Sequence, residues 1–157
     1  LGAHFGARVI ATASTDEKRA LCLELGAADA IGTGDAPSGP VDAVFEMAGG
    51  AVFDTALDAL ADCGRLVVYG ISSREQNEVR TGRLLKRSQS VIGFWLYHYL
   101  GQRRHLEVPL AQLFALAAAG DIEARIGATY PLADAAQAQI DLAARTTSGK
   151  LLIEMPH

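Results

Sequence analysis

Residues 6–19, with the sequence GARVIATASTDEKR, limit the possible folds more than any other part of the chain. Residues 8–11 form a short β-branched run behind a glycine, which is typical of a parallel strand covered on both faces. Ser14 or Thr15 can cap a helix directly afterwards, and the acidic pair that follows suits the positive end of its dipole. The segment therefore predicts a strand, a short loop and the first turn of a helix.

The same boundary pattern occurs twice in the chain. In both FGARVI and LGAADAI, a Gly-Ala pair that is expected to end a helix comes directly before a predicted strand. This alternation of helices and strands is typical of a βαβ array and predicts a doubly wound α/β fold with a parallel sheet. Predicted strands cover residues 8–12, 28–31, 41–47, 65–69, 90–96, 128–132 and 150–155. Predicted helices cover residues 16–25, 51–61, 109–120, with Pro109 at the first helical position, and 133–145, and a helical turn lies near residues 84–86.

The end of the first predicted strand carries no carboxylate. In dinucleotide-binding folds an acidic residue at the corresponding strand end accepts hydrogen bonds from the adenosine ribose and favours NAD. Here Ser14 and Thr15 occupy the strand end, and Lys18 and Arg19 follow one helical turn later. Hydroxyls and cations suit the 2′-phosphate of NADP. The alternative is that the hydroxyls only cap the helix and that the two cations form a solvated face.

Three further strand ends are candidates for a ligand site, because ligands of open α/β sheets bind outside the carboxyl ends of the strands. Glycine at these ends allows a flat ligand to approach the backbone closely. Phe94 and Trp95 are suited to wall a nicotinamide or a substrate, although both could instead be core residues. The candidate residues are Ala48, Gly49, Tyr69, Gly70, Ile71, Phe94 and Trp95.

Glu46 is a carboxylate inside a predicted buried strand. It should have a hydrogen-bond partner there, or else end near the ligand pocket, and the sequence does not separate these alternatives. No Gly-x-Ser-x-Gly elbow is present, so a hydrolase triad has no support.

Composition excludes several classes of function. The formal net charge of −4 argues against a nucleic-acid surface, and no run of about 18 or more apolar residues predicts a membrane span. Cys22 and Cys63 form no Cys-x-x-Cys pair, which indicates buried or half-buried free thiols in a reducing, cytoplasmic setting. The histidines show no metal-ligand spacing, so no metal site is expected in these residues.

The first six residues resemble the end of a helix, with Gly6 in the position after the C-cap. The chain also lacks the Gly-x-Gly-x-x-Gly turn of a dinucleotide domain. We therefore expect a piece of a longer protein, without the first strand of the sheet. In the strand order 3-2-1-4-5-6 that strand would lie between residues 8–12 and 41–47. Its absence would leave two strand edges that must be filled by a strand outside this sequence, by a second copy, or by each other.

Four ordered segments carry a family resemblance. They are GARVIATASTDEKRALCLELGAADAI, DAVFEMAGGAVFDTALDALADCGRLVVYGISS, SVIGFWL and ATYPLADAAQAQIDLAARTTSGKLLIEM. Together they resemble the medium-chain dehydrogenase/reductases, and within them the zinc-independent quinone oxidoreductase branch. The resemblance implies a Rossmann cofactor domain in residues 1–126 and, in residues 127–157, a return to the substrate domain. It also implies a cytoplasmic homodimer that reduces a quinone, an enone or a similar conjugated carbonyl.

The resemblance further implies NADPH as the hydride donor. It places Ser14, Thr15 and Lys18 at the 2′-phosphate, residues 69–72 and 94–95 along the nicotinamide half, and Lys150 close to the cofactor. It identifies no catalytic residue in this chain. Three alternatives remain: a zinc-dependent alcohol dehydrogenase whose metal ligands lie elsewhere, a methyltransferase, which the lack of an acidic strand end disfavours, and an interaction protein without turnover.

Overall fold

The computed structural model describes residues 1–155, in which strands and helices alternate along the chain. The strands are β1 (Ile10–Ala13), β2 (Asp29–Gly32), β3 (Val41–Glu46), β4 (Leu60–Val68), β5 (Ser90–Gly93), β6 (Ile126–Pro131) and β7 (Lys150–Glu154). The helices are α1 (Asp16–Glu24), α2 (Gly50–Asp58), α3 (Thr81–Arg87), α4 (Tyr97–Leu100), α5 (Arg103–Ala119) and α6 (Ala135–Ala143), with a 3-10 turn at Leu132–Asp134. All paired strands are parallel, so the predicted α/β class is confirmed.

The described chain forms two compact units, one of residues 2–105 and one of residues 106–155 together with Leu1. The first unit contains β1 to β5, the second contains β6, α6 and β7, and α5 crosses the division. The division lies upstream of the predicted domain boundary after residue 126, and that boundary stays a prediction.

The first unit contains two separate sheets. β1 pairs with β2, whereas β3, β4 and β5 form a three-stranded sheet in that order. The suggestion that the edges of β1 and β3 close on each other is therefore wrong. α1 packs against β1 and β2, and α2 packs against β3 and β4, so each sheet is stabilised by its own crossover helix rather than by a shared ladder. Within residues 1–155, β1 and β3 each keep one edge without a strand partner.

The core of the first unit lies between α2 and the three-stranded sheet. The apolar stripe predicted for α2 is confirmed, because Phe53 and Leu57 are buried against Leu60 and Leu66, which are fully buried. Burying each of these side chains contributes about 1.5–3 kcal/mol. Partly buried residues extend the core on the same face of the sheet: Val41, Val44, Val68, Val79, Leu84 and Val91.

The glycine stop predicted at Gly26 is confirmed, and the same pair of hydrogen bonds occurs at Gly6, where the described residues before it form a turn rather than a helix. At Gly6 (φ +79°), the Gly6 N–H donates to the Ala3 carbonyl at 2.9 Å and the Ala7 N–H donates to the Gly2 carbonyl at 3.0 Å. Gly26 (φ +96°) has the same two-bond pattern at the end of α1. The left-handed backbone that closes each turn is open to glycine without a steric penalty.

The junction between α2 and β4 differs from its prediction. The helix ends at Asp58 rather than at residue 61, and β4 begins at Leu60 rather than at residue 65. Leu60 pairs with Val41 before a register shift in the sheet, and the Gln89 side chain donates to the carbonyls of Leu60 and Ala61 at 3.0 and 3.2 Å. Because of these contacts with residues that are distant in the chain, Leu60 and Ala61 belong to the sheet rather than to the end of α2.

Two other predicted boundaries are wrong. β5 ends at Gly93, so residues 94–96 lie outside the strand. Pro109 lies inside α5 rather than at its first position, because the helix starts at Arg103. Since proline has no N–H, the bond from position 109 to the His105 carbonyl is absent there. Smaller shifts of a few residues affect the other elements of the second unit.

Candidate functional site

The carboxyl end of β1 gathers the side chains predicted to bind a phosphate. Thr15, and not Ser14, caps α1, because its Oγ1 accepts from the Lys18 N–H at 3.3 Å. Arg19 turns back toward the strand, where its Nη1 donates to the Ala13 carbonyl at 3.2 Å. The structure thus places a guanidinium group at the tip of β1.

The two cations at this tip, Lys18 and Arg19, are half-buried, whereas the neighbouring Asp16 is exposed. Arg19 also pairs with the carboxylate of Asp16, whose side chain is 91% exposed. An ion pair this exposed contributes little to stability, and a guanidinium with five N–H donors keeps donors for another anion. Ser14 is exposed and Lys18 is half-buried. The structure therefore brings all four predicted residues to one place, with hydroxyl and cationic groups together.

A second edge is formed by the carboxyl ends of β3, β4 and β5. Their register aligns Glu46, Val68 and Gly93 in a single row. The row continues beyond the strands, because the Tyr69 N–H donates to the Glu46 carbonyl at 3.0 Å and the Phe94 N–H donates to the Val68 carbonyl at 2.8 Å. Three of the predicted strand ends therefore meet side by side.

The segment after β4 folds over the turn that follows β3. The Ser72 N–H donates to the Met47 carbonyl at 2.8 Å, and the Ser73 N–H donates to the Ala48 carbonyl at 2.9 Å. A Cβ on Gly70 would lie 3.3 Å from Met47, so the two backbones approach closely there. The predicted residues that this brings together are Ala48, Gly49, Tyr69, Gly70 and Ile71.

Glu46 has hydrogen-bond partners and also lies beside a cavity, so both alternatives considered from the sequence hold. Its side chain is 3% exposed, and its Oε1 accepts from the Ala48 N–H at 2.6 Å and from the Gly49 N–H at 2.9 Å. Its Oε2 is buried without a hydrogen-bond partner among the described residues. The carboxylate also lines a cavity of about 180 Å³ with, among others, Gly49, Gly70, Ile71 and Asn77.

Asn77 is a site residue that the sequence analysis missed. Its Oδ1 accepts from the Gly50 N–H at 2.8 Å, and its Nδ2 donates to the Gly50 carbonyl at 2.9 Å and to Asp54 Oδ1 at 3.1 Å. The residue lies in a polar, irregular stretch with no periodicity, and its partner is 27 positions away. No local signal in the sequence could have found it.

The hydrogen bonds of Glu46 and Asn77 limit how the turn at residues 48–50 can contact a ligand. The N–H groups of Ala48, Gly49 and Gly50 all donate to the side chains of Glu46 and Asn77. A helix N-terminus commonly binds anions through such groups, but here they are already committed within the protein. Ala48 and Gly49 can therefore meet a ligand through van der Waals contact rather than through amide hydrogen bonds.

The aromatic residues after β5 lie at the surface of this edge. Phe94 is 38% exposed and Trp95 is 63% exposed, so the alternative that they belong to the core is wrong. Phe94 stacks on Tyr99 with ring centroids 5.0 Å apart and an interplanar angle of 24°, and Tyr99 contacts His105 in turn. The stacked rings place partly exposed aromatic surface at this edge of the sheet, where contact with a planar ligand would be favourable.

Lys150, the last predicted cofactor residue, opens β7 in the second unit. Its N–H donates to the Arg125 carbonyl at 2.8 Å and the residue is exposed. Its approach to a cofactor stays a prediction.

The second unit also holds a tyrosine–carboxylate pair. Tyr130 donates from its hydroxyl to Asp141 Oδ2 at 2.7 Å. That hydrogen bond, with desolvation and the negative charge of Asp141, raises the pKa of Tyr130 above its ordinary value of 10.0.

Cys22 and Cys63 are both free thiols, as predicted, but only Cys22 is half-buried. Cys63 is exposed, so the prediction of a buried or half-buried thiol is wrong there. It lies in β4 with a left-handed backbone (φ 61°). Across residues 1–155 no three or more histidine, cysteine or acidic side chains cluster as metal ligands would. In the same residues no helix has the length and apolarity needed to cross a bilayer.

A family model for zinc-binding dehydrogenases matches residues 1–115. The chain belongs to this family. Prostaglandin reductase-3 of Mus musculus is 34% identical over 95% of the chain and 46% of its own length. Quinone oxidoreductase of Pseudomonas aeruginosa is 31% identical over 94% of the chain and 49% of its own length. The chain thus spans about half the length of these relatives.

Solved structures of the family share the fold. Quinone oxidoreductase from Thermus thermophilus, whose structures include a complex with NADPH, superimposes with a TM-score of 0.87 at 32% identity. The superposition covers 98% of this chain and 51% of that one. The Rossmann-like order and the resemblance to the quinone oxidoreductase-like medium-chain dehydrogenase/reductases are confirmed.

Proposed function

We propose that the intact protein carrying this chain is an NADPH-dependent oxidoreductase that transfers a hydride to a quinone, an enone or a similar conjugated carbonyl. The observation that carries the proposal is the tip of β1, where the Arg19 guanidinium is bonded to the Ala13 carbonyl beside Ser14, Thr15 and Lys18. A strand end that carries hydroxyls but no acidic residue, with two cations one helical turn later, suits a ribose that carries a 2′-phosphate. Asp16, which pairs with Arg19, lies in the helix rather than at the strand end.

The residues present fit the cofactor at both ends. Ser14, Lys18 and Arg19 would hold the 2′-phosphate. The turn at Ala48 and Gly49 would contact the middle of the molecule, because Gly49 lines the cavity beside Glu46. The residues proposed along the nicotinamide half are Tyr69, Gly70, Ile71, Phe94 and Trp95. Lys150 is a further proposed cofactor residue. Bound NADPH supplies the hydride, and the protein orients it.

The proposed substrate class rests on relatives and on shape. The similar proteins are a quinone oxidoreductase and a prostaglandin reductase, whose names describe reductive chemistry. The exposed aromatic side chains of Phe94 and Trp95 would suit contact with a planar conjugated acceptor. A zinc-dependent alcohol dehydrogenase, whose metal ligands would lie outside these residues, is the alternative within the family.

A homodimer in the cytoplasm is part of the same proposal. Phe45 is 76% exposed and Ile92 is 44% exposed, and the register aligns both with Val67 across the face of the sheet opposite α2. An exposed apolar row of this kind favours association with another surface. Sedimentation velocity of the intact protein across a range of concentrations tests the dimer.

Hydride transfer by the intact protein tests the proposed activity. NADPH oxidation should be followed with a 1,4-quinone, an enone and a saturated ketone as hydride acceptors, each with and without a zinc chelator. We expect turnover with the conjugated acceptors that is insensitive to the chelator. Chelator-sensitive reduction of the saturated ketone would favour the zinc-dependent alternative. NADPH binding without turnover would favour the interaction protein.

A further inference from the structure

Glu46 and Asn77 hold the turn after β3 from two sides. Glu46 accepts from two successive N–H groups, those of Ala48 and Gly49. Asn77 then both accepts from and donates to the backbone of the next residue, Gly50. Three consecutive residues therefore depend on two side chains from different parts of the chain.

The backbone of this turn has two glycines in succession, so its own conformational preference is weak. Gly49 has a φ of +78° and Gly50 a φ of +60°, which places two successive residues in the left-handed region. Glycines in this region are the least restrained residues of a chain, so an external constraint is needed to keep one conformation. Without Glu46 and Asn77, the three N–H groups would have to find other acceptors.

The buried position of Glu46 sharpens its role. Its Oε1 carries both hydrogen bonds, whereas its Oε2 has no partner among the described residues. Both bonds need one acceptor oxygen in one place, and neither needs the second oxygen. The arrangement therefore depends on an acceptor at the position of Oε1 rather than on a full carboxylate.

We infer that Glu46, together with Asn77, is a positioning residue that sets the shape of the Ala48–Gly49–Gly50 turn against which the cofactor lies. This inference rests on the proposed function. The turn lies at the edge of β3 to β5, and the 2′-phosphate residues lie at the tip of β1. Loss of Glu46 should therefore weaken NADPH and NADH equally, because the part of the molecule that differs between them is bound elsewhere.

Two substitutions at position 46 separate geometry from charge. Glu46→Gln keeps one acceptor oxygen and replaces the unpartnered oxygen by an amide group, so both affinities should stay within about twofold of the unaltered protein. Glu46→Leu removes the acceptor and keeps the bulk, so the dissociation constants of NADPH and NADH should both rise about tenfold. At saturating cofactor, kcat should stay close to that of the unaltered protein, so that the effect appears in KM.

Gln89 provides the matched control, because it is the other buried polar side chain among the described residues. Its side chain donates to Leu60 and Ala61 at the amino end of β4, away from the turn. Gln89→Leu should lower the melting temperature and leave both cofactor affinities unchanged. If Glu46→Leu does not fold, Asn77→Ala tests the same turn from Gly50 and should weaken both cofactors.

Binding of both cofactors by the intact protein, measured by fluorescence titration, decides between the outcomes. Normal affinities in Glu46→Leu, an equal loss in Glu46→Gln, or a loss confined to NADPH would each overturn the inference while leaving the proposed function in place. If Glu46→Leu does not fold, normal affinities in Asn77→Ala overturn it. If the unaltered protein binds neither cofactor, the proposed function fails and this inference fails with it.

Discussion

Arg19 donates from Nη1 to the carbonyl oxygen of Ala13 at 3.2 Å, which ties the first helix of the chain to the end of the strand before it. This hydrogen bond holds the Arg19 guanidinium against the end of β1, so that the side chain does not extend into solvent. Lys18, the neighbouring residue, contributes its N–H to the helix cap and a second positive charge to the same tip. We therefore expect single substitutions at the tip of β1 to change the preference for NADPH over NADH.

Lys18→Ala should reduce NADPH affinity about tenfold or more, because it removes one charge-assisted contact worth about 1.5–3 kcal/mol. NADH affinity should barely change. Both dissociation constants can be measured by fluorescence titration of the intact protein. Lys86→Ala, which removes an exposed lysine from the last turn of α3, is the matched control and should affect neither cofactor. Equal losses for both cofactors at position 18 would mean that Lys18 does not contact the phosphate.

Gly49→Ala should destabilise the protein by about 1–3 kcal/mol. The residue has a φ of +78°, and a Cβ there would lie 2.5 Å from the Glu75 carbonyl oxygen. Gly82→Ala is its control, because nothing lies within 4 Å of a Cβ at this exposed helical position. The control should raise stability by about 0.5–1 kcal/mol. Urea unfolding of both variants measures the difference, and a tolerated alanine at Gly49 would contradict the geometry of the turn.

Tyr130 and Asp141 predict a dependence of stability on alkaline pH. The pKa of Tyr130 is raised by its hydrogen bond to Asp141, by desolvation and by the carboxylate charge, so the folded state favours the neutral phenol. The resulting stability is fully present below the ordinary tyrosine pKa of 10.0 and is lost as the pH rises through the higher folded value.

Tyr130→Phe should abolish this contribution, and Asp141→Asn should lower the pKa of Tyr130 toward its ordinary value. Tyrosinate absorbance followed against pH measures the titration, with urea unfolding at each pH. The prediction fails if the difference in stability between Tyr130→Phe and the unaltered protein is the same at neutral pH and well above pH 10.0.

A polypeptide of residues 1–157 alone should not be a stable, active monomer. β1 and β3 each present an edge without a strand partner in the described structure, and such edges pair with other chains. Each unpaired backbone group that becomes buried costs about 1–3 kcal/mol. Sedimentation velocity should show self-association, and NADPH should bind weakly. A monomer that unfolds cooperatively and binds NADPH at micromolar concentration would contradict this expectation.

Features set by neighbouring residues were predictable from the sequence. The glycine stop at Gly26, the cap at Thr15 and the apolar stripe of α2 each depend on contacts within a few positions. The end of α2 was not predictable, because Leu60 pairs with Val41 and is held by Gln89, and both partners are remote in the chain.

The candidate site likewise has residues that could be predicted from nearby sequence and residues that depend on remote contacts. The residues at the strand ends follow from the rule that ligands bind there, and the structure brings most of them together at two edges. Asn77 could not be predicted, because its importance comes from Gly50 and Asp54 on another element. The exposure of Phe94 and Trp95 depends on where β5 ends, which their own β-prone sequence does not reveal.

The committed N–H groups of Ala48, Gly49 and Gly50 have a consequence for protein engineering. Because Glu46 and Asn77 satisfy these groups, the turn is preorganised whether or not a nucleotide is present. A preorganised surface loses little conformational entropy on binding. For the proposed NADPH-dependent enzyme, we therefore expect that a redesign toward NADH can be confined to the tip of β1, by exchanging Ser14, Lys18 and Arg19 for an acidic ribose-binding set. The turn after β3 should then need no alteration, because its N–H groups are satisfied within the protein.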